Sequence, residues 1–299
     1  MTQPVTTVSK STDDDYTKGK HKYSLLSIFT RFKWRVSLTL SLVVIETLLE
    51  LLFPLAIGWA INSLLEQSYN GIYLLATLGS ISILIGSARR FYDTRVYAHI
   101  YQVVTSEMVA REKVKKQSVS TITARSSLLT EIVEFFENSL PEIITVTIGT
   151  VGLLIIISAI NLNIFLACLA LLALITLIYC VIGNTNYQLN ESYNNELEYQ
   201  VDAIKQPNVE HAKAHFRRLM RWNIELSDLE TGTYFILWAG IVALFVYAPI
   251  AAIDGGLVNY GLIVALLMYV FDFIGKVSAL PLYVQQVIRL KEISNRIGL

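Results

Sequence analysis

The sequence predicts an all-α integral membrane protein with six membrane-spanning helices and two long cytoplasmic helical hairpins. Three observations carry that reading. The first is composition: 54% of the 299 residues are hydrophobic and only 16% charged, against about 45–50% and about 25% in soluble domains. The second is clustering, because the apolar residues fall in blocks of roughly 20, the length that crosses a ~30 Å hydrocarbon core. The third is the placement of lysine and arginine, which alternates from one connection to the next.

The spans are expected at about 36–64, 71–90, 142–160, 164–182, 233–253 and 257–280. Lys10, Lys18, Lys20, Lys22, Arg31, Lys33 and Arg35 precede the first. Arg111, Lys113, Lys115, Lys116 and Arg125 join the second to the third, and Lys205, Lys213, Arg217, Arg218 and Arg221 the fourth to the fifth. Arg289, Lys291 and Arg296 follow the sixth. The connections at 65–70, 161–163 and 254–256 contain no lysine or arginine. Positive charge collects on the cytoplasmic side, so both termini are expected in the cytoplasm of a bacterial inner (plasma) membrane protein.

Residues 1–22 are polar, with Asp13, Asp14 and Asp15 in a row, and read as a disordered cytoplasmic tail rather than a cleavable signal peptide. Residues 23–299 form the membrane domain, opened by a short amphipathic lead-in over 23–32. The three outer connections read as tight turns at Asn70-Gly71, at Asn161 to Asn163 and at Asp254-Gly255-Gly256. The two inner ones are each about 50 residues long. No Gly or Pro occurs between Gly86 and Pro141, so that stretch reads as continuous helix. A helix over 71–118 would be ~70 Å long, so tens of Å project beyond the bilayer. The 184–232 stretch reads the same way, with a break at Pro207.

Ionisable residues inside a span are functional candidates because they are costly there. Glu46 and Glu50 lie on one face of the first span, about 16 and 22 Å beyond Arg35 along the helix. Two like carboxylates in low dielectric push one toward its protonated form, which suits a proton carrier; packing across a helix interface is the alternative. Asp272 and Lys276 have the i,i+4 spacing of an ion pair on the sixth span, either a local brace or a cavity-facing pair. Arg89, with Arg90, Asp93 and Arg95, stands where the second span leaves the bilayer. Inner-surface anchoring explains that cluster; a basic vestibule for an anion is the other reading.

Glu131, Glu134, Glu137 and Glu142 give the start of the third span an acidic face, expected to pair with Arg111 to Lys116 across the hairpin. His211 and His215 have metal-pair spacing, but neighbouring Lys213, Arg217 and Arg218 argue for a structural role. Cys168 and Cys180 would lie about 18 Å apart on one helix, beyond disulfide reach. No nucleophile triad, zinc spacing or cofactor motif is present, and zero net charge points to no nucleic-acid partner.

Six spans, tight outer turns and two long inner hairpins resemble the transmembrane domain of ABC exporters. Leu52-Phe53-Pro54-Leu55-Ala56-Ile57-Gly58 with Ile61-Asn62 resembles the end of that family's first helix. Glu134 to Pro141 resembles the start of its third, and Tyr260-Gly261-Leu262-Ile263 with Pro281-Leu282 its sixth. Ala124-Arg125 and Thr130-Glu131 stand where the family commonly has Gly and Asp. No G-x-x-x-x-G-K-[ST] loop occurs, and the family's usual ATPase domain does not follow residue 299. The resemblance therefore implies a free-standing, non-enzymatic membrane subunit that dimerises. It would move a solute by alternating access, with a separate ATPase chain docking near 117–128 and 203–212. An ion-driven transporter without ATPase, as in some peptide importers of exporter-like fold, and a non-transporting membrane scaffold are the alternatives.

Overall fold

The computed structural model describes residues 30–205 and 209–296. The tail 1–22, most of the 23–32 lead-in and the Pro207 break lie outside the described residues. Eight α-helices follow one another, with no strand among the described residues: α1 Lys33–Leu65, α2 Asn70–Val114, α3 Val119–Glu134, α4 Leu140–Ile160, α5 Leu162–Glu198, α6 Gln200–Lys205, α7 Val209–Asp254 and α8 Tyr260–Arg296. A π-helical turn, Phe135–Ser139, joins α3 to α4. Six helical stretches are long and apolar enough to cross a membrane. The chain divides into two compact units, residues 1–153 with 275–299, and residues 154–274.

In the first unit α1 packs along α2. Its buried positions, Val36, Thr39, Val43, Thr47, Leu51 and Pro54, recur every three or four residues, the stripe that one helix presents to another. Many are small, which lets the backbones approach closely, as helices packed in lipid require. Gly71 shows how closely: a Cβ there would stand 2.5 Å from Ala60 Cα and 2.8 Å from Ser63 Oγ. The expected Asn70-Gly71 turn is corrected accordingly. Both residues begin α2, and the left-handed residue of the turn is Gln67, at φ 58°. Gly71 is there for proximity, not for turn conformation.

The C-terminal part of α2 is amphipathic. Val96, Ile100, Val104 and Met108, spaced by four, bury one face against Leu129, Ile132 and Val133 of α3. Continuous helix through this region is also corrected: α2 stops at Val114, Lys116 turns left-handed at φ 53°, and Ser118 caps α3 by accepting from Thr121 N at 3.2 Å. A hairpin must reverse somewhere, and the capping serine was the signal for it. The expected pairing across the hairpin is not what Lys115 makes; its ammonium stands 3.5 Å from Glu112 of its own helix. Arg31 instead ties the segment before α1 to α2, with both guanidinium NH2 groups on Glu107 at 2.7 and 2.8 Å.

The π turn has a local cause. Pro141 lacks an N–H and its ring crowds the carbonyl four residues back, so the helix widens just before it. Leu140 N bonds Phe135 O, five residues earlier.

In the second unit α5 and α7 form the other long hairpin. Asn161 organises its outer end: Oδ1 accepts from the amides of Asn163 and Ile164 at 3.0 and 3.1 Å, capping α5, while Nδ2 donates to Ala251 O at 3.0 Å. A Cβ on Gly255 would meet that same Nδ2 at 2.7 Å, and Gly256 carries the turn at φ 78°. At the end away from Asn161, His215, 1% exposed, sets Nδ1 2.8 Å from Glu196 Oε1 across the hairpin, and Arg218 Nε donates to the same oxygen at 3.0 Å. His211 is exposed, so the two histidines do not converge, and no group of three metal-ligating side chains occurs among the described residues.

Candidate functional site

The cavity that gathers ionisable groups lies within the first unit, has a volume of about 570 Å³, and is walled by α1, α2, the π turn, the start of α4 and Tyr283 of α8. Five carboxylates line it, Glu46, Glu50, Asp93, Glu137 and Glu142, with two guanidinium groups, Arg89 and Arg90. This brings three of the sequence candidates, Glu46, Glu50 and Arg89, into one space.

The arrangement follows from spacing. Glu46 and Glu50 share one face of α1, one turn apart. Arg89 and Asp93 repeat that interval on α2. Arg89 sits between them: Nε donates to Glu46 Oε2, and Nη1 donates to Asp93 Oδ2 at 3.1 Å. All three side chains are mostly covered, at 17%, 20% and 6% exposure. Arg89 is therefore a bridge between two helices, not the inner-surface anchor that its place at the end of the span suggested. Glu50 is half exposed, and Lys276 Nζ of α8 reaches to 4.0 Å from its Oε2. Each α1 carboxylate thus has a cation delivered by a different helix.

Two glycines make room for these groups. A Cβ on Gly86 would stand 2.8 Å from Glu46 Oε1, and one on Gly149 would stand 2.7 Å from Lys276 Cε. Gly86 lies one turn before Arg89, so the same face of α2 that supplies the cation leaves space for its partner. Asp272 belongs to the other unit and its side chain is exposed on α8; Arg90 is exposed at the cavity's edge.

Glu137, Asn138, Tyr283 and the two glycines were not singled out as site residues by sequence reasoning. Pro141 was the available signal for Glu137 and Asn138, because a proline inside a helical run disturbs the turn before it. A glycine one turn from Arg89 in a span was the signal for Gly86; no charged residue lies within a turn of Gly149, which only Lys276 of α8 marks. Nothing local marks Tyr283, which arrives from the far end of the chain.

Six helices long and apolar enough to cross a membrane define a multi-pass membrane protein, with a charged cavity inside its first unit. The chain belongs to the ABC transporter transmembrane region family, whose sequence profile matches residues 25–256. It is a transporter membrane component. No curated protein matches it.

Proposed function

We propose that this protein is the membrane subunit of an ABC-type transporter. Two copies would move a solute by alternating access, while a separate chain hydrolyses ATP. The observation that carries this reading is the charged cavity in helices that are otherwise apolar. Charge is kept out of lipid unless it serves a path or a partner, and a concave site of several hundred Å³ suits a small solute. The family match supports the transporter class. These 299 residues contain no phosphate-binding loop, so the reading assigns ATP hydrolysis to a domain outside them. Docking is proposed at the inner ends of the hairpins, near 117–128 and 203–212.

Gentle extraction from the native membrane followed by native mass spectrometry tests this. A dimer carrying an ATPase chain is expected; a bare dimer or a monomer bound to another protein counts against it.

A second reading, transport driven by a proton gradient through Glu46 and Glu50, is favoured by their shared cavity face. The cations beside each of them, Arg89 and Lys276, favour the first reading, because a compensated carboxylate is a poor proton shuttle. Glu46→Gln with Glu50→Gln abolishes gradient-driven uptake on the second reading. It leaves ATP-dependent flux dependent on the partner chain on the first.

A further inference from the structure

We propose that the cavity binds an organic dication, a small molecule with two amines. This names the substrate class of the transporter reading above and rests on it. The groups do not balance: five carboxyl groups line the cavity against Arg89, Arg90 and the Lys276 ammonium beside Glu50, two more acids than cations. Uncompensated charge in a partly dry site is expensive, so a ligand that supplies two positive charges is strongly favoured.

The surplus is localised. Arg89 is committed to Glu46 and Asp93. Glu137 has no hydrogen bond or ion pair among the described residues, and the charged neighbours acting on it, Asp93 and Glu134, are both acidic. It projects from the π turn, a widened helical turn of a kind common at functional sites.

Asp93 supplies an independent sign. It lines the cavity at 4% exposure, yet only Oδ2 is engaged; Oδ1 has no hydrogen-bond partner. The Thr39 hydroxyl of α1 stands beside Asp93 as a donor and does not itself line the cavity. Buried acceptors are ordinarily satisfied; one hydroxyl supplies a single hydrogen, and an amine in the cavity would meet the acceptor capacity of Asp93 that Thr39 leaves open. A volume of about 570 Å³ far exceeds what one metal ion fills, and no three-ligand metal cluster exists among the described residues. An amine-bearing molecule uses the separated carboxylates one amine at a time.

The test is equilibrium binding of tritiated putrescine to the purified full chain in nanodiscs, with spermidine, magnesium chloride and succinate as competitors. Saturable binding displaced by spermidine is expected, weakened at least tenfold by Glu137→Gln and kept within about threefold by Glu137→Asp. Glu230→Gln, on the exposed inner part of α7, should leave it unchanged. Absence of saturable binding overturns the proposal, as does displacement by succinate, equal displacement by magnesium, or unchanged affinity in a folded Glu137→Gln variant. The assay needs no ATPase, so its failure leaves the transporter reading standing. Diamine binding without flux in the intact complex would instead sink the transporter reading and keep the site.

Discussion

At the scale of single residues, Arg89 holds the cavity wall together. Its guanidinium places one N–H on Glu46 and another on Asp93, a fork that a lysine ammonium on a flexible stem does not reproduce. Arg89→Ala leaves two partly buried carboxylates without their cation. The expected loss is about 2–3 kcal/mol, at the low end for breaking a buried pair because the group is not fully buried. Thermal unfolding in detergent checks it. Glu46→Gln introduced alongside should recover part of the loss, and Arg89→Lys should fall between wild type and Ala.

Gly149 acts through space rather than charge. Gly149→Ala places a methyl group where the Lys276 stem now lies. Because that stem is flexible, stability is expected to change by less than about 1 kcal/mol, within the range of tolerated rearrangements. The ammonium should leave Glu50, and the reactivity of Lys276 toward a water-soluble amine reagent should change. Unaltered labelling would mean that the lysine reaches Glu50 by another route.

At the scale of elements, three turns are made by two different devices. Gln67 and Lys116 adopt left-handed backbone without being glycine, and backbone bonds from Ser68 N to Ser63 O at 2.7 Å and from Gln117 N to Glu112 O at 3.2 Å close the two turns around them. Asn161 works through its side chain, capping α5 with one end of the amide and gripping the last turns of α7 with the other. Asn161→Ala should therefore cost about 2 kcal/mol, the sum of a lost cap and a lost buried hydrogen bond. Asn163→Ala, an exposed position in the same turn, should cost close to nothing. Melting temperatures of the two variants separate these outcomes. At the inner end of the same hairpin, His215, Glu196 and Arg218 form the corresponding grip.

At the scale of the whole molecule, the prediction concerns orientation. The three connections without lysine or arginine and the basic ones between them predict that both termini are cytoplasmic. In a background with Cys168 and Cys180 replaced, Ser68→Cys should react with a membrane-impermeant maleimide added to intact cells. Val119→Cys should react only after the cells are opened. The opposite pattern would invert the topology and move the proposed ATPase docking segments to the wrong side.

Element existence was legible because it depends on local quantities. A run of about 20 apolar residues must be buried in lipid or protein whatever surrounds it, so six spans could be read from α1 to α8, and Lys and Arg counts set their expected direction. The family resemblance rests on the same order of spans, and the match over 25–256 bears it out. The face shared by Glu46 and Glu50 was legible too, because helical periodicity fixes it. Partners were not. Arg89 meets Glu46 across 43 residues and Lys276 meets Glu50 across more than 200, and the glycines that seat them matter only once another helix lies within a few Å. The spacing of Asp272 and Lys276 suggested a pair within one helix, and no local rule could foretell that Lys276 also reaches α1. The sequence by itself determined the spans, their expected orientation and which helix faces carry charge, since each follows from residues within a turn or two of one another. Only the tertiary structure decided which charges meet, where the carboxylate surplus collects and which turns are held without glycine, because each depends on distances between helices far apart in the chain.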